Sequence, residues 1–190
     1  MFLEFAIAFL IGSIPTGFWY AKYFHKLDIR QHGSGNIGAT NSLRVLGKKA
    51  AIIVLFIDLL KGLLPVLVAK YLDFSTENVL LVGVFAVLGH LFSPFLNFKG
   101  GKGIATAFGV ILAFSPLAAL FAVLVFGAAL YFTRYVSLGS ILGVLTFLVF
   151  VLLQDSSLEL RLISTALALL LIISHRMNIS RLLSGTENKI

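Results

Sequence analysis

The chain has 190 residues, of which 59% are hydrophobic and only 12% charged, and its mean hydropathy is +1.02. That balance is too apolar for a soluble domain of this length and marks a multi-spanning membrane protein. The net charge of +7 does not imply nucleic acid, since no long basic run exists and the cations stand at the ends of apolar segments, while the lack of cysteine excludes disulfides, thiol chemistry and thiolate zinc sites.

Residues 2–24 form the first apolar segment. It carries Glu4 at its start and has neither a basic leading region nor a small-x-small cleavage site, so a retained span is expected rather than a signal peptide. A polar stretch follows, then a second span over residues 51–72 and a third over 79–96, separated by an acidic turn with Asp73 and Glu77. Residues 103–132 form an apolar run of roughly 45 Å as a helix, well beyond a hydrocarbon core of about 30 Å. Proline opens a helix better than it continues one, so the run is split at Ser115-Pro116. The first half, residues 103–114, is then a short helix, either inset or placed where the bilayer thins. Spans over 137–154 and 160–174 complete the chain, with Asp155 and Glu159 in the turn between them.

The fold expected is an all-α membrane protein of seven transmembrane helices, with the N-terminus outside, the C-terminus cytoplasmic and a single domain over residues 1–190. Charge bias supports the split. It puts Lys22, Lys26, Arg30, Arg44, Lys48, Lys49, Lys99, Lys102, Arg134, Arg176, Arg181 and Lys189 inside, and only Lys70 and Arg161 outside, with Lys61 left within a span. A six-span reading would throw Arg176, Arg181 and Lys189 outward.

Three polar stretches then share the cytoplasmic face: residues 32–49, 97–106 and 175–187. In the first, Gly33-Ser34-Gly35-Asn36-Ile37-Gly38 matches the dinucleotide pattern G-x-G-x-x-G, but no strand precedes it and the acid beyond it, Asp58, falls inside a span. What remains is a glycine-rich loop with Ser34, Asn36, Thr40 and Asn41, followed by Arg44, a set suited to an anion or a polyol. The second stretch places Lys99, Gly100, Gly101, Lys102 and Gly103 directly before a helix. Glycines let backbone N–H groups close on an anion, lysines supply charge and the helix offers its positive end, so it reads as a phosphate cradle. In the third, His175 and Asn178 share a face if the helix continues, and Glu187 is either solvated or paired with a cation that fixes the tail. Asp58 and Lys61 neutralise each other within the second span, and His90 is expected to hydrogen-bond a neighbouring helix. No histidine has a partner at metal-ligand spacing, so no metal is expected.

Taken together, Gly33-Ser34-Gly35-Asn36-Ile37-Gly38-Ala39-Thr40-Asn41, Phe98-Lys99-Gly100-Gly101-Lys102-Gly103-Ile104-Ala105-Thr106 and His175-Arg176-Met177-Asn178-Ile179, with Arg181-Leu182 and Gly185-Thr186-Glu187, closely resemble the bacterial PlsY family of membrane glycerol-3-phosphate acyltransferases. The resemblance implies transfer of a fatty acyl group from acyl phosphate to the 1-hydroxyl of sn-glycerol 3-phosphate. The products would be lysophosphatidic acid and phosphate, in the first committed step of bacterial phospholipid synthesis. It implies an essential serine and arginine at Ser34 and Arg44, a glycerol-phosphate loop at Gly100, Gly101, Lys102 and Gly103, a histidine and asparagine at His175 and Asn178, and a structural glutamate at Glu187. Composition and charge bias, taken with it, lead to the expectation of a multi-pass protein of the cell inner membrane, in contact with membrane lipids, with its active site on the cytoplasmic face and no nucleic-acid partner; a monomer without a cofactor is expected.

The other acyltransferase class has aspartate five residues after a histidine. Here Arg30, Ile37, Phe95 and Ser180 occupy those places, so its chemistry is not available. Lys102, Arg44 and the glycine-loop amides are expected to hold two phosphates and oppose charge at the attacked carbonyl. Either His175 accepts the proton of the glycerol hydroxyl, or it orients that hydroxyl and the donor's phosphate takes the proton. A phosphate transporter would show inverted repeats with polar groups near mid-membrane, whereas here the polar residues cluster at one face and only Asp58, Lys61 and His90 lie deeper. A lipid kinase would need a carboxylate cluster for magnesium, and the sequence has none.

Overall fold

Proline shapes the first span. In the computed structural model, which describes residues 2–154 and 157–190, it consists of two helices, α1 (Phe2–Ser13) and α2 (Thr16–His25), broken at Pro15, where no N–H exists to continue the ladder. The break turns the carbonyls of Ser13 and Ile14 outward, and partners distant in sequence take them: Ser93 Oγ donates to Ser13 O and Lys61 Nζ to Ile14 O, both at 2.5 Å. An amphipathic helix α3 (Ala39–Leu46) follows, and Gly47 with φ 88° joins it to α4 (Lys48–Tyr71). α5 (Thr76–Leu91) ends earlier than residue 96, and the chain then runs through a 3₁₀ turn (Pro94–Leu96) and the glycine-lysine loop into α6 (Ile104–Phe114). The remaining helices are α7 (Pro116–Thr133), α8 (Val136–Leu153), α9 (Leu158–Ser174) and α10 (Arg176–Leu183).

The long apolar run is divided at Ser115, whose Oγ accepts from the Ala118 N–H, with Pro116 in the first position of α7. Ser75 and Ser157 cap α5 and α9 in the same way. Among the described residues five segments are long and apolar enough to cross a membrane, or six if α9 and α10, bent by 59°, are taken as one. The eleven residues of α6 reach about 16 Å and do not cross alone. Asp155, expected in the acidic turn before α9, lies outside the described residues.

Small residues set the closest crossings. A Cβ on Gly62 would strike the Thr106 carbonyl and one on Gly109 the Leu59 carbonyl, so α4 and α6 meet backbone to backbone; Gly12 and Gly89 do the same for α1 and α5. Leu80, Val87, Val66, Val110, Leu167 and Leu171 fill the centre. Large apolar side chains such as Phe56, Leu124 and Leu153 lie exposed on the outside, as a lipid-facing surface requires. Both α4 and α6 run the same way: Gly62, past the middle of α4, is level with Thr106, and Lys70 Nζ donates to the final carbonyls of α6, Ala113 O at 2.7 Å and Phe114 O at 3.0 Å. The short helix therefore flanks only the second half of α4, leaving a hollow beside the first half.

Candidate active site

That hollow is a cavity of about 590 Å³, bounded by α3, the first half of α4, the start of α6, α7, α8 and the chain end. Its inner wall is apolar, with Ile52, Leu55, Phe108, Ile111, Val123, Phe126 and Val144. Its other end is polar, with Ser34, Asn36, Thr40, Arg44, Lys102, His175, Asn178 and Glu187. Three stretches distant in sequence thus meet at one place.

The first loop owes its shape to Asn41, which is 1% exposed. Its Oδ1 accepts from the Ser34 N–H at 2.8 Å, and its Nδ2 donates to the carbonyls of Ile29, His32 and Asn36. Asn41, expected among the phosphate ligands, lines the cavity and is also the strut of the loop, where both ends of its amide are engaged. Gly33 and Gly35 take positive φ, and a Cβ on Gly33 would collide with Asn41 Oδ1. Asn36 Oδ1 accepts from the Gly38 N–H, leaving the amide NH2, the Ser34 hydroxyl and the Thr40 hydroxyl on the cavity.

The glycine-lysine loop departs from the simple cradle. The Gly100 N–H donates to Leu91 O at 2.9 Å and the Gly101 N–H to His90 O at 3.0 Å, so neither amide is left for an anion and neither residue lines the cavity. Glycine is needed there for approach: a Cβ at 100 would strike the His90 carbonyl, and one at 101 the His90 ring. Lys102 and Gly103 do line the cavity, whereas Lys99 is exposed outside it. Burial pushes the pKa of Lys102 down to about 8; Arg181 and Arg44 push the same way and Glu187 opposes them.

At the end of α9, Ser174 Oγ has the Leu171 carbonyl at 2.7 Å and the Lys102 carbonyl at 3.1 Å as acceptors for its one proton, and through the second contact the third stretch meets the second. His175 is 3% exposed and its Nδ1 lies 2.9 Å from the Leu171 carbonyl. A carbonyl only accepts, so Nδ1 carries the proton and Nε2 presents a lone pair. Burial pushes the pKa of His175 down to about 4, against the pull of that carbonyl. Glu187 gathers the tail. Its Oε1 accepts from Ser137 Oγ at 2.8 Å and Asn178 Nδ2 at 2.6 Å, and its Oε2 from Arg181 Nε at 2.7 Å. Burial alone would raise its carboxyl pKa, but these hydrogen bonds and the Arg181 charge hold it below the ordinary value. The pairing aims Asn178 so that its buried Oδ1 has no protein partner. Beyond Glu187, the Asn188 carbonyl accepts from Arg44 and the Ile190 N–H donates to Arg134 O, so the chain end crosses the polar mouth.

Sequence reading missed Ser137 and Ser140, which α8 turns into the cavity. Their signal is a pair of hydroxyls three residues apart, with Gly139 and Gly143 on an otherwise apolar helix. Among the described residues no three His, Asp or Glu side chains come together as metal ligands would.

Known proteins match the chain closely. The family model for glycerol-3-phosphate acyltransferase matches residues 2–185. The glycerol-3-phosphate acyltransferase of Thermoanaerobacter pseudethanolicus is 48% identical over 184 residues, 97% of this chain and 92% of that one. Glycerol-3-phosphate acyltransferase 2 of Bacillus anthracis is 48% identical over 193 residues, 99% of this chain and 98% of that one. The crystal structure of PlsY (YgiH), an integral membrane glycerol 3-phosphate acyltransferase, in its glycerol 3-phosphate form has a TM-score of 0.95 and 40% identity, covering 100% of this chain and 94% of that chain. Its lysophosphatidic acid form has a TM-score of 0.91.

Proposed function

We propose a specific reaction for this chain, which belongs to the glycerol-3-phosphate acyltransferase family and is an integral membrane acyltransferase. A fatty acyl group passes from acyl phosphate to the 1-hydroxyl of sn-glycerol 3-phosphate, giving lysophosphatidic acid and inorganic phosphate. The observation that carries this reading is one cavity with two characters: a polar end holding Lys102, Arg44 and His175, and an apolar wall running from it between α4, α6, α7 and α8. Both substrates bring phosphate and one brings a long chain, and the two ends suit those two needs.

In this mechanism Lys102 and Arg44 attract the phosphates, with donors from Ser34, Asn36, Thr40 and the start of α6 at Gly103. Gly100 and Gly101 contribute by seating the loop and Asn41 by shaping the other one. The glycerol hydroxyl donates to His175 Nε2 or Asn178 Oδ1, which hold its oxygen toward the acyl carbonyl. The oxygen–carbon bond forms, the carbon–oxygen bond to phosphate breaks, and the hydroxyl proton passes to the departing phosphate. Burial holds the pKa of His175 down to about 4, which favours orientation over proton acceptance as its part in this reading. Glu187 keeps Asn178 and Arg181 in place.

The same reading takes residues 1–190 as one domain working as a monomer in the inner membrane without a cofactor. Seven membrane helices, counting the inset α6, put the N-terminus outside and the site on the cytoplasmic face, where the basic loops collect. Purified protein given acyl phosphate and glycerol 3-phosphate, with neither nucleotide nor metal, should release phosphate and lysophosphatidic acid in equal amounts. Failure to form either product would sink this assignment, and uptake of glycerol 3-phosphate into vesicles without turnover would favour a transporter.

A further inference from the structure

In the wall of the cavity, which Asp58 and His90 help to line, lies a buried polar cluster that the transfer chemistry does not use. Lys61 is 3% exposed, and its ammonium reaches Asp58 Oδ1 at 2.7 Å, the Ile14 carbonyl at 2.5 Å and His90 Nδ1 at 3.3 Å. An ammonium has three donors and no acceptor, so these contacts occupy it fully. They also set the tautomer of His90: Nδ1 accepts, and Nε2 carries the proton. That Nε2 faces Gly101, where a Cβ would run into it, while the His90 carbonyl accepts the Gly101 N–H at 3.0 Å. A Cβ on Gly100 would meet the same carbonyl. The two residues preceding Lys102 are therefore seated on His90 by its ring and its backbone together. From the other side Ser174 Oγ holds the Lys102 carbonyl. Stapling the broken first span explains why Lys61 bonds Ile14; it does not explain a histidine wedged under two glycines.

We propose that His90, locked in orientation by Lys61 and Asp58, is a positioning residue for the reaction, setting the backbone of residues 100 and 101 and thereby where the Lys102 ammonium stands in the cavity. The inference rests on Lys102 holding a substrate phosphate. A leucine at 90 keeps the backbone acceptor but removes the ring that the loop rests on and strands one donor of Lys61. Glutamine accepts from Lys61 through Oε1 and keeps an N–H toward Gly101.

The test is steady-state kinetics on the full chain in detergent, with glycerol 3-phosphate varied, for His90→Leu, His90→Gln, Lys102→Ala and the double variant His90→Leu/Lys102→Ala. KM should rise on the order of tenfold in His90→Leu and by roughly 10- to 150-fold in Lys102→Ala, and His90→Gln should return to within about threefold of the parent. In the Lys102→Ala background, His90→Leu should add less than about twofold, because the group it positions is gone. Multiplication of the two single effects in the double variant overturns the positioning role, since a general loss of packing acts whether or not Lys102 is present. Where His90→Leu is not recovered folded, His90→Asn takes its place, too short to reach Gly101, and is judged by the same multiplication. An unchanged KM in Lys102→Ala overturns the phosphate role instead, whatever the His90 variants do.

Discussion

Replacing each lysine of the glycine-lysine loop by alanine separates a phosphate ligand from a membrane anchor. Lys102 lines the cavity with its carbonyl held by Ser174, whereas Lys99 is exposed and outside it. A charge-assisted hydrogen bond contributes about 1.5–3 kcal/mol, so Lys102→Ala should raise KM for glycerol 3-phosphate by roughly 10- to 150-fold. Lys99→Ala, a surface change, should stay within roughly twofold. The pKa of Lys102 adds a second signature. Burial has lowered it to about 8, so the ammonium is present below that value and lost as pH rises through it. KM should therefore climb above about pH 8 in the parent and stay flat in Lys102→Arg, whose guanidinium remains charged throughout the range assayed. Initial rates of phosphate release across a pH series measure both. Equal, small effects of the two alanine changes, or an alkaline rise that persists in Lys102→Arg, would refute the reasoning.

His175→Asn should keep measurable activity and His175→Ala much less. The parent's kcat should show no limb near pH 6.5, because burial holds the histidine pKa at about 4; a limb there that vanishes in His175→Asn would make it the base. Glu187→Gln turns an amide donor toward Arg181, or one toward Asn178, and should lower stability by about 1.5–3 kcal/mol, read as Tm in detergent. Because the carboxyl pKa is depressed in the folded protein, its contribution is present above the ordinary glutamate value and fades as pH falls through the folded one. The parent should lose Tm in acid more steeply than the variant. Gly62→Ala drives a methyl into the Thr106 carbonyl and should cost about 1–3 kcal/mol, while Gly127→Ala, with nothing near its Cβ, should not lower Tm.

Three prolines show why some of the architecture was legible in the sequence and some was not. Pro116 follows a serine inside a run too long for one span, and length exposed that break. Pro15 breaks the first span in a segment of ordinary length, where a proline alone does not decide between a break and a continuing helix, and what stabilises the break is Lys61 and Ser93 reaching in from distant parts of the chain. Pro65 lies inside α4 without ending it. Hydropathy also overran the end of α5, since residues 92, 95 and 96 are apolar although the helix stops at Leu91. At the site, residue type identified the stretches but not the partners. Gly100 and Gly101 announce a tight backbone, and only the fold reveals that α5 rather than an anion is what comes close. Asn41 looks like any loop asparagine until its four hydrogen bonds are traced, and Ser137 is one hydroxyl in an apolar helix until Glu187 is folded onto it.

The length of α6 and the chemistry of its leading loop follow from one constraint. Since α6 flanks only the second half of α4, the loop before it falls beside the middle of that helix, where unpaired backbone is costly. Irregular chain is tolerated at such a depth only when protein groups satisfy it or it lines a polar cavity. Both conditions are met here: the last carbonyls of α5 take the amides of residues 100 and 101, Ser174 takes the carbonyl of 102, and the side chain of Lys102 is left to the cavity. A longer α6 starting level with Lys48 would fill the hollow and remove the site. On the proposed reaction, this depth is what lets the headgroup of a lipid-borne donor meet Lys102 while its chain lies along the apolar wall, so adding turns to the start of α6 should abolish transfer even if the helices still pack.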